Sequence, residues 1–432
     1  MSEMPDLSGG AAVVAAARPP ALWPSPWPAE DGGPDRRQAA AGGLSIGPTS
    51  TLAVTSRLAI VSTMVVLRDP GEVYLLGAGA GPDVPAWVEQ IHPETLEPVR
   101  RSVDLAGGPM WPGGIAAHAN GSLYTVFGRH AHRLAADLTV QAVAELPRDA
   151  PHNSFVVLPD GHLVTKDFGG RTPHRAAPDE PCELLVLEPD ELRIVARLEL
   201  PETSVARLSA AGDTVYAVGD TSLWRAHWDG SRLEPDTDFR AVYRTSAGQG
   251  YGWDAVIDGG AAWFLDNGEG TDRFAGTFRG VGVATDPLHL VRVDLGTGAV
   301  SLHEVCGRPG GLIANPPAID VRRGIAVAYD SGNGVVRAFT FDDHGVTGIA
   351  WTREQNHAAH PLRFVDTGEL LLCDHDAERM MEQAVLIDIV TGAELARVDT
   401  GLPLQSVVFA APGFGRDLYL CSLPGVCRIE VR

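Results

Sequence analysis

PHNSFVVLPDGHLVTKDF (151–168), YGWDAVIDGGAAWFLDN (251–267), NPPAIDVRRGIAVAYDS (315–331) and AHPLRFVDTGELLLCDH (359–375) share one plan. Each is an apolar strand, a tight turn containing Gly, a second apolar strand and then Asp. The spacing holds without a gap: Gly161 to Asp167, Gly260 to Asp266, Gly324 to Asp330 and Gly368 to Asp374, each Asp six residues after its Gly. The same hairpin without the terminal Asp recurs around Gly71, Gly121, Gly212 and Gly415. The eight units lie roughly 40 to 60 residues apart, the spacing of four-stranded propeller blades.

Working outward, each unit continues into two weaker strands, as in HRLAADLTVQAVAEL (132–146) and LVRVDLGTGAVSLHEV (290–305). The last unit, SVVFAAPGFGRDLYLCSLPGVCRIEV (406–431), supplies only three strands. A strand near Leu52–Val61 is expected to supply the fourth and close the ring, which removes exposed sheet edges. The fold class is therefore all-β, a β-propeller of about eight four-stranded blades, or seven if the first unit is irregular. Residues 51–432 form the propeller. Residues 1–50, rich in Ala, Gly and Pro and without periodicity, are expected to be a disordered leader.

Composition narrows the function. The 34 Lys+Arg against 55 Asp+Glu leave a formal charge of −21. That balance argues against nucleic acid and against anionic membrane surfaces as partners. No apolar run approaches the ~18 residues of a membrane span, and the acidic start at Glu3 and Asp6 does not suit a signal peptide. The five cysteines (Cys182, Cys306, Cys373, Cys421, Cys427) are scattered, odd in number and without a CxxC pair. Reduced thiols in a cytoplasmic protein are expected.

Two motifs are set aside. Gly43-Leu44-Ser45-Ile46-Gly47 matches a nucleophile elbow, but Pro48 follows and no strand and helix flank it. The glycines of 77–81 precede Pro82 and a strand rather than a helix, so no nucleotide cofactor is indicated.

The blade zigzag puts the start of every innermost strand, the end of every second strand and the second-to-third loops on one face of the ring, called the front face below. His152, Asn153, Trp253, Asp254, Asn315, His360 and Gln405 begin innermost strands there. Asp167, Asp266, Asp330 and Asp374 end second strands there. The hairpin register sets His152 opposite Asp167, with cross-strand neighbours about 5 Å apart. Three of the four Asp-bearing units also carry long insertions on this face: GGRTPHRAAPDEP (169–181), NGEGTDRFAGTFRGVGVATDP (267–287) and HDAERMMEQ (375–383). Insertions in a regular repeat mark the binding side and can act as a lid.

Several roles are expected at this face. His152 held by Asp167, with His360, would move a proton. Asn153, Trp253, Arg171, Asp374 and His375 would bind substrate. Asp254, Asp266, Asn315 and Asp330 would offer oxygen ligands to calcium, which takes six to eight of them. Against this stands the structural use of an Asp that ends a strand, which is to accept backbone N–H bonds and fix a turn.

VVLPDGHLVTKD (156–167) and AVIDGGAAWFLDN (255–267) resemble hairpins of the gluconolactonase and strictosidine-synthase-like propellers. That resemblance implies a channel calcium held by acidic and amide side chains. His152-Asn153-Ser154 before Pro-Asp-Gly, with FLDNG (264–268), is similar to arylsulfotransferase-like propellers, which use axial histidines and arginines on sulfate esters. Trp253 stands where that family more often carries His, and both families usually have six blades. The expectation from all of this is an enzyme of hydrolase or lyase type acting on a small molecule at the channel mouth. The alternative is a non-catalytic ligand-binding or protein-interaction scaffold.

Overall fold

The computed structural model describes residues 21–81, 83–108, 113–168 and 180–432. Eight sheets follow one another round an axis: blade 1 (62–101), blade 2 (114–145), blade 3 (152–199), blade 4 (209–242), blade 5 (256–304), blade 6 (318–354), blade 7 (362–399) and blade 8 (410–431 with 52–58). Each is a meander of four antiparallel strands running outward from the axis. The eight-blade expectation holds, including the first unit.

Ring closure also holds. Leu52–Leu58 is the outermost strand of blade 8 and pairs antiparallel with Gly425–Val431, Leu52 opposite Val431. The first and last strands of the propeller are thus hydrogen-bonded neighbours, and blade 8 is stitched from both ends of the chain.

Burial explains why the inner hairpins carried the sequence signal. The two inner strands of blade 1, Ser62–Leu67 and Val73–Ala78, are buried at every position, because each blade face packs on the next blade. Such strands read as continuous apolar runs. Outer strands such as Val140–Glu145 and Ile194–Glu199 alternate half-buried and exposed residues and read weakly. The turn glycines Gly71, Gly121, Gly161, Gly212, Gly260, Gly324 and Gly368 all adopt positive φ, a backbone region that costs other residues energy.

The expectation of a disordered leader is corrected over residues 21–50; residues 1–20 lie outside the described residues. The stretch 21–47 crosses the back of the ring and plugs the channel. Leu22 and Ala29 bridge to His118 and Ala116 of blade 2, and Leu67 of blade 1 donates its N–H to Trp27 O (2.8 Å). Ala210 of blade 4 and Ile257 of blade 5 donate to Pro34 O (2.7 Å) and Asp35 O (2.9 Å). Ala39–Ala40 then pairs parallel with the innermost strand of blade 7. Glu369 finally accepts the N–H groups of Leu44 (2.6 Å), Ser45 (3.2 Å) and Ile46 (2.7 Å). Trp27, Ala40 and Leu44 belong to the same apolar core as blades 1, 2, 7 and 8. Composition misled because the segment has almost no repeating structure of its own. Its backbone bonds and apolar contacts come from six different blades.

The front face carries a lid. The loop between the second and third strands of blade 5 reaches across three blades. Gln405 N donates to Gly276 O (2.9 Å) and Gln405 Oε1 accepts from Phe278 N (2.7 Å). Asn356 Nδ2 donates to Thr277 Oγ1 (3.2 Å), and Gly280 N to Gly332 O (2.9 Å). The axis is therefore closed by a lid in front and by the leader behind.

Candidate functional site

Between lid and plug lies a cluster of ionisable side chains, each at most 5% exposed: Glu30, Asp31 and Arg36 from the leader, Arg207 at the start of blade 4, Asp254 before blade 5 and His360 before blade 7. Arg36 is its hub. Its Nε donates to Leu208 O (2.6 Å), Nη1 to Asp31 Oδ2 (3.1 Å), and Nη2 to Glu30 Oε2 (3.0 Å) and Ser154 Oγ (2.9 Å). Arg207 lies 3.4 Å from Glu30 Oε2 and 3.8 Å from Asp254 Oδ2, and its backbone N donates to Asp254 Oδ1 (2.6 Å).

His360 is held on two sides. Its Nδ1 lies 2.9 Å from Asp31 Oδ1. Its ring stacks on Phe409 with centroids 3.8 Å apart, and the Arg207 guanidinium lies 4.6 Å from that same ring. Burial pushes the Asp31 carboxyl up, but the charge and hydrogen bond of His360, with Arg36 and Arg207, outweigh it and hold the group below its ordinary value. An ionised Asp31 accepts from His360 Nδ1 and fixes the ring's orientation; in the neutral form of the imidazole the proton stays on Nδ1 and the lone pair falls on Nε2. Burial lifts Glu30 to about 7 against the opposing pull of Arg36 and Arg207.

Among the described residues, three polar atoms of the cluster have no hydrogen-bond partner: His360 Nε2, Asp254 Oδ2 and Glu30 Oε1. Buried polar atoms in native proteins are nearly always bonded, so unpaired ones call for a functional explanation. One ligand atom from each of Asp31, Asp254 and His360 lies within 4.8 Å of the other two, the one such three-residue group among the described residues.

His360 and Asp254 are thus brought to the axis, and most of the other expected residues are placed elsewhere. The register sets His152 opposite Asp167, yet the two side chains do not pair. Asp167 accepts from Glu183 N (2.8 Å) and Arg148 (3.2 Å), while His152 Nδ1 lies 3.1 Å from Ala150 O. Asp266 accepts from His289 N (2.6 Å), His289 Nδ1 (2.8 Å) and Gln249 (2.8 Å). Asp330 accepts from Leu312 N (3.2 Å) and Asn333 N (3.0 Å), and Asp374 from Asn356 N (2.8 Å) and Arg397 (2.8 Å). All four repeat aspartates tie loops at the front face, and Asp266 and Asp330 do not join Asp254 as ligands of one ion.

Asn315 donates to Ala358 O (2.5 Å) and Val407 O (3.1 Å), linking the starts of three blades. Trp253 packs in the core of blades 5 to 7. His375 pairs with Glu382 (3.2 Å) inside blade 7. The expectations for Arg171 and for the Asn153 side chain lie outside the described residues.

Burial lowers the His152 pKa from its usual 6.5 to about 4, against the pull of Asp167. A depressed base contributes stability that is present above pH 6.5 and lost as pH falls towards 4. Over that window the loss is expected to reach about 3 kcal/mol, at 1.36 kcal/mol per unit. Urea titrations between pH 7 and pH 4 should show His152→Gln losing distinctly less stability than the wild type. Parallel curves would assign the acid sensitivity to other groups.

Residues that sequence reasoning missed are Glu30, Asp31, Arg36 and Arg207, and also Lys166. The charged run Glu30 to Arg37 beside Trp23 and Trp27 was a visible signal against a structureless leader. Lys166 carried a plainer one, since it is the single lysine of the chain beside 33 arginines.

No family model matches the chain, and no curated protein sequence matches it. Its structure is similar to that of a europium-containing methanol dehydrogenase at a TM-score of 0.62 and 9% identity, covering 95% of this chain and 98% of that one. It is also similar to BamB from Moraxella catarrhalis at a TM-score of 0.52 and 12% identity, covering 87% and 100% of the two chains. A streptogramin B lyase gives a TM-score of 0.46 at 11% identity, covering 74% and 93%. At these identities the first two likenesses show the shared β-propeller fold and nothing further. No helix among the described residues is long and apolar enough to cross a membrane.

Proposed function

We propose that the protein is a small-molecule enzyme of hydrolase or lyase type whose reacting centre is the axial cluster, with His360 moving the proton and Asp31 orienting it. One observation carries this reading: a buried imidazole bonded to a carboxylate at 2.9 Å through Nδ1 while its Nε2 has no partner. The carboxylate sets it apart from His357, whose Nε2 is also unpartnered but whose Nδ1 only accepts the N–H of Cys373 (2.9 Å). In a buried position the free lone pair is a base held in one orientation, the arrangement general acid–base catalysis needs. The lid from blade 5 would have to open for a substrate to arrive from the front.

The test is a screen of esters, lactones and β-substituted carboxylic acids against the wild type and His360→Gln. The variant is expected to lose on the order of 10²- to 10⁴-fold in turnover, with its near-UV circular dichroism retained. Full turnover by the variant would remove His360 from the chemistry.

A second reading is favoured by the 4.8 Å grouping of Asp31, Asp254 and His360, which would hold a divalent cation. Two carboxylates and an imidazole suit a first-row divalent ion better than the calcium expected from the sequence, which prefers oxygen alone. Metal analysis of the protein as purified decides between the readings. The non-catalytic scaffold remains the outcome if neither turnover nor metal is found.

A further inference from the structure

Lys166 lies near the end of the second strand of blade 3, at the front of the seam between blades 3 and 4. It is 2% exposed. Its Nζ donates to two acceptors, Asp167 O at 3.0 Å and Ser204 O at 2.8 Å, and the Phe168 ring lies 5.6 Å away. Both acceptors are neutral carbonyls, and no carboxylate among the described residues pairs with the amine.

That count matches a neutral amine. An ammonium has three N–H groups to place, whereas a neutral amine has two and a lone pair. Two carbonyl acceptors satisfy the neutral form completely and leave its lone pair free in the remaining tetrahedral direction. A buried ammonium without a counter-ion would also carry a large desolvation cost. Burial accordingly lowers the Lys166 pKa; Cys182, Asp167 and Asp254 pull it back and Arg207 opposes them. Ser204, whose carbonyl accepts from the amine, lies three residues before Arg207 of the axial cluster.

The choice of residue points the same way. Every other cationic side chain in the sequence is Arg, 33 in all. A guanidinium keeps its charge throughout the biological pH range and is a poor nucleophile. A lysine amine can give up its proton and then attack a carbonyl. Where this chain departs from arginine, the structure calls for an uncharged nitrogen.

We propose that Lys166 is a nucleophilic amine that captures an aldehyde or ketone at the seam of blades 3 and 4, forming a Schiff base. The Nζ lone pair forms a bond to the carbonyl carbon. The carbonyl oxygen then leaves as water with both amine hydrogens, giving the C=N bond. The inference rests on the reading of the cluster as an enzyme centre and narrows its substrates to carbonyl compounds.

The probe is glycolaldehyde with sodium cyanoborohydride, whose hydride adds to the imine carbon while a proton goes to nitrogen, leaving a stable secondary amine. Native full-length protein is treated at pH 7, digested and mapped by mass. Because the chain has a single lysine, the reagent has two targets, Lys166 and the N-terminal amine, and the latter serves as an internal control. Lys166 is expected to be labelled in the folded protein at least about 10-fold faster than Nα-acetyl-lysine, whose amine is neutral in about one molecule in 2,500 at pH 7. Lys166→Arg should carry label at the N-terminus alone.

If Lys166 is labelled only after unfolding in urea, it is a structural tie between blades 3 and 4 and the proposal is overturned. The labelling needs no turnover. Label on Lys166 in an inactive His360→Gln protein supports the amine independently. An unlabelled Lys166 in a protein that turns over substrate ends this proposal and leaves His360 standing.

Discussion

A chain that begins at residue 48 is expected to lose cooperative unfolding altogether. Three contributions add up against it. Trp27 is 2% exposed, and an aromatic side chain of that kind buries roughly 150–250 Å². At about 25 cal/mol per Å² this is worth about 4–6 kcal/mol. Leu44, fully buried in the same core, adds about 2 kcal/mol. Removing the leader also strips Arg207 and His360 of their carboxylate partners Glu30 and Asp31. Water entering the emptied channel would hydrate some of these groups and recover part of that last term. It cannot recover the first two. The total matches the whole net stability of an ordinary domain, about 5–15 kcal/mol. Thermal unfolding followed by far-UV circular dichroism and by dye binding to exposed apolar surface is the measurement. A melting temperature within a few degrees of the full chain would show that the channel does not need its plug. Restoration of a sharp transition by adding a synthetic 21–47 peptide would show that it does.

Arg36→Ala is expected to destabilise the full chain by about 3–5 kcal/mol, the usual range when one partner of a buried ionic network is removed. Arg36 makes four side-chain hydrogen bonds within the barrel of first strands. Without it, Asp31 keeps only His360 and Glu30 only Arg207 as partners, and Leu208 O and Ser154 Oγ lose a donor. Arg36→Met tests the electrostatic part separately, because it fills a similar volume. It should restore packing and still leave Glu30 and Asp31 uncompensated. Equilibrium unfolding in urea gives both numbers. A loss below about 1 kcal/mol for Arg36→Ala would mean that the cluster is hydrated or rearranges freely, and the account of a sealed chamber would fall with it.

The architecture was legible because its repeat is enforced by local chemistry. A turn needing positive φ takes Gly, and a strand end needing a backbone acceptor takes Asp. The first demand recurs in seven of the eight blades and the second in four, whatever the blade packs against. The same locality explains what the Asp residues turned out to do. Asp167, Asp266, Asp330 and Asp374 recur because each accepts a backbone N–H of a neighbouring front-face loop, a need of the fold and not of a ligand.

The cluster was not legible because it has no local rule. Asp31 meets His360 across 329 residues and Arg36 meets Leu208 across 172. Nothing in the composition of a Pro- and Gly-rich stretch announces such partners. His152 and Asp167 show the limit of register arguments. The backbone positions were correct, but Arg148, arriving from outside the hairpin, claims the carboxylate.

The stitch in blade 8 sets a schedule for the protein's synthesis. Leu52–Leu58 leaves the ribosome early, and its partner Gly425–Val431 follows about 370 residues later. At 5–20 residues per second the wait is roughly 20–75 s. Throughout that interval the nascent chain carries a strand with nothing to pair with and a leader whose docking blades are still arriving. A neighbouring chain on the same messenger offers an identical late strand, so crowded translation favours exchange of closing strands between copies. Closing the ring therefore waits on a strand made about 370 residues later, and its fidelity depends on how closely ribosomes follow one another.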